Sequence, residues 1–165
     1  LSQLEDGHIQ LKVTPFSIDA VIKRTIDKLL PIAAKRHISI KYLNVSDEIL
    51  TCLGDENRIK QVLINLLNNA IQHSFDYGNI LISTYRQNEN VYVSIRDFGE
   101  GIPEEDIPFI WDRFYTVDKH RTEESTGLGL AIVKNILNAH GSDVAVSSVL
   151  GEGTEFCFYL QSYIE

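Results

Sequence analysis

The segment "DENRIKQVLINLLNNAIQHS", residues 55–74, sets the first constraint on the fold. Ile59, Val62, Leu63, Leu66, Leu67, Ala70 and Ile71 recur at helical spacing and make one apolar arc. A helix with such an arc has to bury it against a second layer. Asp55 stands where an N-cap belongs. The same helix carries Asn65 and Asn69, four residues apart and so stacked on one stripe, with Asn68, Gln72 and His73 close by. Asparagine is a mediocre helix former, and a single one would read as filler on a solvated face. A stripe of amides has a further use. Amide oxygens are neutral hard ligands for Mg²⁺, which takes one or two ligands from protein and the rest from phosphates and water.

Around this helix the chain mixes two periods. Ser17 or Asp19 caps a helix over about 17–35, with Val21, Ile22, Ile26, Leu29, Leu30 and Ala33 on its buried face and Pro31 inside it. A third helix spans about 128–139, where Leu128, Leu130, Ala131, Ile132, Val133, Ile136 and Leu137 keep helical spacing and Gly141 is the stop signal. "HISIKYL", "EILTCLG", "GNILISTYR", "NVYVSIRDFG", "SDVAVSSV" and "TEFCFYL" read as strands. The order is not a regular βαβ alternation. It predicts an α/β chain of the α+β type: a two-layer sandwich in which a mixed, mainly antiparallel sheet packs on about three helices. "LSQLEDGHIQLKVTPFS" breaks at Gly7 and Pro15 and reads as the end of an earlier helix followed by a linker. The region 99–126 is glycine-rich, charged and long for a loop, with one short helical segment at about 104–110.

At 165 residues and 44% hydrophobic composition the chain can bury one core. It has no methionine even at position 1, so it reads as a domain of a longer protein. A formal net charge of −8 argues against a nucleic-acid partner, and no apolar run reaches membrane-spanning length. Cys52 and Cys157 lack metal-ligand spacing and read as buried thiols in a reducing compartment.

Two glycine motifs point to a ligand. In "RDFGEGIP", Asp97 ends a strand, and Gly99 and Gly101 leave room for something flat to approach the backbone. A pocketed carboxylate there can accept from an exocyclic amine such as that of adenine. In "STGLGL", Gly127 and Gly129 stand on the threshold of a helix, where each costs roughly 1 kcal/mol against alanine. Unpaired N–H groups at the positive end of a helix dipole suit a phosphate, and glycine lets it come close. Taken singly, each motif has a plain structural reading, a tight turn in one case and a loop-to-helix packing contact in the other.

Their order carries more than either alone. The chain resembles the catalytic ATP-binding domain of bacterial sensor histidine kinases, in the GHKL (Bergerat-fold) ATPase superfamily. The resemblance runs from about Phe16 to Leu160 on five boxes in family order: "NLLNNA", "DFGEG", "FIWDRFY", "TGLGL" and "GEGT". It implies that residues 1–15 are the end of a dimerisation helix and its linker, and that 16–165 are the ATP-binding domain with an ATP lid at about 101–125. Asn65 and Asn69 match the catalytic asparagines, with Asn69 on Mg²⁺. Asp97 matches the adenine-reading aspartate, and Gly99, Gly101 and Ile102 the pocket around it. Thr126, Gly127, Leu128, Gly129 and Leu130 match the phosphate-side motif, and Thr154 a pocket-wall threonine. Phe109, Phe114 and Tyr115 would anchor the lid. The chain departs from the family pattern at Gln72, where a lysine reaching a phosphate is common, at His73, where an aromatic by the adenine is common and the imidazole can still stack, and at Thr116, where an arginine is common. Lys119, His120 and Arg121 on the lid are candidates to replace the missing cations.

The resemblance further implies transfer of the γ-phosphoryl of ATP to a histidine on a separate dimerisation domain, and from there to a response regulator. None of His8, His37, His73, His120 or His140 sits in a phosphoacceptor context. The parent is expected to be a homodimer on the cytoplasmic side of the bacterial membrane, and the isolated domain a monomer. Two other functions stay open at this point. A hydrolytic GHKL ATPase would carry a water-activating glutamate where this chain has Asn65. A nucleotide-binding regulatory module with weak catalysis fits Gln72 and Thr116.

Overall fold

The computed structural model describes residues 9–113, 115 and 129–164. In chain order these form β1 (Thr14–Ser17), α1 (Ile18–Lys35), β2 (Ser39–Asn44), β3 (Thr51–Gly54), α2 (Glu56–His73), β4 (Asn79–Gln87), β5 (Asn90–Asp97), a 3-10 helix (Glu104–Phe109), α3 (Gly129–Ala139), β6 (Val144–Val149) and β7 (Gly153–Gln161). One sheet runs in the order β2-β4-β5-β7-β6. Its β2–β4 pair is parallel and the other three are antiparallel. The three helices supply the second layer, so the architecture is the mixed two-layer one that the element order predicts.

The core lies between the layers. Alternate residues of the central strands are buried, Ile80 and Ile82 on β4, Val91, Val93 and Ile95 on β5, Phe156, Phe158 and Leu160 on β7. Against them lie all seven arc residues of α2, from Ile59 to Ile71, together with Ile18, Val21 and Ile22 of α1 and Val133, Ile136 and Leu137 of α3. Each Val, Leu, Ile or Phe among them contributes about 1.5–3 kcal/mol when fully buried. Among the described residues no helix is long and apolar enough to cross a membrane.

Two sequence expectations change. The end of the expected linker is strand β1, which pairs antiparallel with β3 from Thr14 opposite Gly54 to Ser17 opposite Thr51. Pro15 is tolerated there because a two-stranded ribbon leaves one edge unpaired. On α1, Leu30 is exposed rather than buried. It lies about 100° round the helix from Leu29 and falls off the arc; Thr25 takes a core position instead, donating from Oγ1 to the Val21 carbonyl at 2.8 Å. The helix itself starts at the expected cap, Ser17, and runs on through Pro31.

Helix α2 is pinned at both ends. Asp55 caps its start, accepting from the Arg58 amide. Beside that cap, the His140 imidazole donates from Nδ1 to the Ile136 carbonyl at 2.8 Å and accepts the Asp55 amide at Nε2 at 3.0 Å. At the other end, Arg36 donates to the carbonyls of Ile71, at 2.5 Å, and Ser74, and pairs with Asp76 at 2.8 Å. The last turn of α2, which carries Gln72 and His73, is therefore fixed in place.

Candidate nucleotide site

Asp97 closes β5, the middle strand of the sheet, and is only 2% exposed. One carboxylate oxygen, Oδ1, accepts the backbone amides of Gly99 at 3.0 Å and Thr154 at 3.3 Å. Among the described residues nothing donates to Oδ2. Burial pushes the carboxyl above the usual aspartate range, against the smaller opposing effects of the two amides and of His73. A buried carboxylate with one committed and one free oxygen is placed to take a hydrogen bond from a ligand amine.

The surroundings of Asp97 are built by close backbone approach. A methyl group on Gly99 would lie 2.0 Å from the His73 carbonyl oxygen. One on Gly101, which adopts φ +75°, would lie 2.4 Å from the Val149 carbonyl oxygen. The sequence reading gave these glycines to an approaching ligand. The space at both positions is taken by the chain's own backbone, which is why only glycine fits. Ser148, which the sequence reading passed over, holds this corner together. Its hydroxyl accepts from the Ile102 amide at 2.8 Å, donates to the Gly153 carbonyl at 3.0 Å and meets Thr154 Oγ1 at 2.8 Å. Ile102 and Thr154 are both buried by it.

The amide stripe is arranged differently. Asn65 and Asn69 are half-buried on α2, and no described residue hydrogen-bonds to either side chain. The start of α3 lies beside Asn65: among the described residues, a methyl on Gly129 would come 3.8 Å from Asn65 Cγ, with nothing nearer. Two unsatisfied amides beside a helix N-terminus make a polar surface that offers oxygens to a cation and N–H groups to an anion. Among the described residues there is no group of three or more His, Cys, Asp or Glu side chains that could hold a metal. Any ion here would rely on amide oxygens and the ligand's own phosphates, and the donor set fits Mg²⁺ on those terms.

The remaining positions divide. Gln72 is exposed, and Leu130 is half-buried against the core. His73, the last residue of α2, is paired through Nδ1 with Glu100 Oε1 at 2.9 Å. Phe109 and Tyr115 pack on each other with ring centroids 6.0 Å apart, and the Tyr115 hydroxyl donates to Asp106, which pushes its pKa up to about 12. Tyr115 is thus tied to the 3-10 helix rather than to the Asp97 corner. The opening part of the expected lid is anchored, with Ile110 buried and Trp111 edge-on to Phe156 at 5.8 Å. Phe114, Thr116, Lys119, His120, Arg121, Thr126, Gly127 and Leu128 lie outside the described residues.

Known proteins resemble the chain in sequence and in fold. The chain is 41% identical over 121 residues to the sensor histidine kinase WalK of Bacillus subtilis, covering 71% of this chain and 20% of that protein. It is 39% identical over 157 residues to the sensor histidine kinase YkoH of the same organism, covering 93% and 34%. The chain thus spans about a fifth to a third of the length of these and similar curated relatives, and less than half of any of those compared. Among solved structures, the nucleotide-free catalytic domain of histidine kinase ThkA superposes with a TM-score of 0.80 at 30% identity, over 93% of this chain and 96% of that one. Full-length ShkA in complex with AMPPNP gives 0.88 at 28% identity, over 99% and 34%. Residues 54–164, more than half of the chain, match the family model described as histidine kinase-, DNA gyrase B- and HSP90-like ATPase. The chain belongs to that ATPase family, and within it is a catalytic, ATP-binding domain of the sensor histidine kinase type.

Proposed function

We propose that the chain binds Mg·ATP between the Asp97 corner and the amide stripe, and presents the γ-phosphoryl to a histidine on another domain of its parent protein. The observation that carries this reading is Asp97 Oδ2, to which no described residue donates, on a buried residue whose other oxygen is already held by the Gly99 and Thr154 amides. Adenine offers the amine that such an oxygen needs; guanine presents a carbonyl at the same edge and would oppose it. Ile102, Thr154, Gly99 and Gly101 shape that pocket. Asn65 and Asn69, with Leu130 and the Gly129 end of α3, lie on the phosphate side, with Gln72, Tyr115, Lys119, Arg121, Thr126, Gly127 and Leu128 as further contacts from the sequence pattern. Mg²⁺ held by Asn69 would neutralise charge on the phosphates.

A water-activating carboxylate is missing from the stripe, since the residue one turn before Asn69 is Asn65. This favours transfer to a partner over hydrolysis. The acceptor would be the dimerisation domain of the parent, whose helix would end within residues 1–15 and lead by a linker into the ATP-binding domain at 16–165, with the ATP lid at about 101–125. A homodimeric parent on the cytoplasmic side of the membrane, passing the phosphoryl to a response regulator, completes the reading. Incubation with Mg·ATP labelled at the γ position tests it. Alone, the chain should bind nucleotide without labelling itself and turn over more slowly than about 1 s⁻¹. With the parent's histidine-bearing domain added, acid-labile label should appear on that domain. Rapid hydrolysis, or label on this chain alone, would overturn it.

A further inference from the structure

His73 and Glu100 are joined more firmly than a surface pair requires. The Glu100 amide donates to the His73 carbonyl at 3.2 Å, and the Glu100 carboxylate takes the imidazole at Nδ1 at 2.9 Å. Between them, Gly99 passes so close to the same carbonyl that no side chain fits. The pair therefore links the last residue of the amide helix to the loop that follows Asp97, with Arg36 holding the helix end from the other side. An exposed histidine–carboxylate pair contributes little to stability. What this one does is fix a ring. With Nδ1 committed to the carboxylate, the imidazole has one orientation and one tautomer when neutral. His73 is half-buried and belongs to the Asp97 corner: the Gly99 that its carbonyl crowds donates its amide to Asp97 Oδ1.

We propose that Glu100 is a positioning residue that holds the His73 imidazole as a contact surface for the nucleotide base at the mouth of the Asp97 pocket. Glu100 acts through His73 and touches no ligand itself. The proposal rests on the Mg·ATP reading above, in which the family resemblance already puts His73 beside the base, and adds Glu100 to it. Its signature is dependence: once His73 is gone, Glu100 has nothing left to position. An effect on the base is also felt equally by ATP and ADP.

The test is a double-mutant cycle on nucleotide affinity, using the whole chain with ATP and ADP as ligands. Glu100→Ala and His73→Ala are each expected to weaken both nucleotides about three- to tenfold, and the double variant no further than His73→Ala alone. Glu100→Gln keeps an oxygen for Nδ1–H and should recover affinity to within about twofold of the parent chain. Additive losses in the double variant, no rescue by Gln, or a loss confined to ATP would overturn the proposal. Asp97→Asn is run beside them. If it leaves ATP affinity untouched, the nucleotide reading itself fails; if it weakens ATP while the cycle is additive, only the Glu100–His73 role fails.

Discussion

Gly99 and Gly129 belong to two similar-looking glycine motifs and are used in opposite ways. A side chain on Gly99 would run into the His73 carbonyl at 2.0 Å, so the glycine serves contact between two parts of the chain. Among the described residues a methyl on Gly129 would meet only the Asn65 side chain, no nearer than 3.8 Å, so no described contact asks for glycine there. The same contrast holds for the polar groups around each. Near Asp97 almost every donor and acceptor is already committed, leaving one carboxylate oxygen over. On the α2 stripe no described residue hydrogen-bonds the amides of Asn65 and Asn69. On the proposed reading the base end of the site is built before any ligand arrives, whereas the phosphate end would be completed by the ligand. Preorganisation at one end lets the other be assembled around a hydrated metal at lower ordering cost.

The largest effect should come from the open end. Asn69→Ala removes a proposed metal ligand from a polar stripe and takes little from the core. Phosphoryl transfer to the parent's histidine-bearing domain is expected to fall about a hundredfold or more, with thermal melting of the nucleotide-free chain unchanged. Full transfer by the variant would remove the metal role and with it half of the contrast.

Gly99→Ala should do the reverse. The added methyl forces apart the loop after β5 and the end of α2, at a cost of about 3 kcal/mol. Denaturant unfolding reads this directly. A variant as stable as the parent chain would mean that the close approach to His73 is not obligatory.

Asp97→Asn separates stability from binding. Asn Oδ1 can still accept the Gly99 and Thr154 amides, but the group replacing Oδ2 is a donor facing a donor on adenine. ATP affinity should drop about tenfold or more, with GTP much less affected. Stability should move the other way. Asp97 has its folded pKa raised by burial, so the protonated form is favoured by folding and the ionised form costs stability as pH rises through that folded value. At pH 7 the Asn variant, which never ionises, should melt above the parent chain. The difference should close as pH falls toward and below the ordinary aspartate range, where Asp97 is protonated in both states. A variant that melts lower than the parent at pH 7 would show that the two amide bonds outweigh the desolvation.

The sequence exposed these elements unevenly, for physical reasons. The helix caps at Ser17 and Asp55 and the seven-residue arc of α2 are local patterns, and they were legible because their partners lie within a few residues. Strand β1 was not, since four residues with a proline show no period and acquire one only by pairing with β3. Ser148 looks like ordinary strand filler in "VAVSSV"; its bond to Ile102 spans 46 positions and exists only after folding. The glycines of "DFGEG" announced that something comes close but not what, and at Gly99 it is the end of α2. Asp97 was legible as an acceptor by its motif, while the division of labour between its two oxygens needed the structure.

Gly129→Ala should produce the smallest effect on the fold, and it tests the contrast from its weaker side. Gly129 opens α3, and alanine at a helical position is favoured over glycine by up to about 1 kcal/mol. The methyl meets nothing closer than the Asn65 side chain, which can give way. Nucleotide-free, the variant should therefore be as stable as the parent chain or slightly more so. If phosphate lies against the α3 N-terminus, the methyl stands in its path and displaces it from the N–H groups that the helix end leaves unpaired. ATP affinity should then fall about three- to tenfold, and ADP affinity less, because more of the triphosphate than of the diphosphate depends on that end. A glycine that costs the helix stability and is kept for a ligand gives this paired result, gain in melting and loss in binding. Equal affinity with raised stability would mean that the phosphates do not approach Gly129, and the open end of the site would have to be sought elsewhere along the amide stripe.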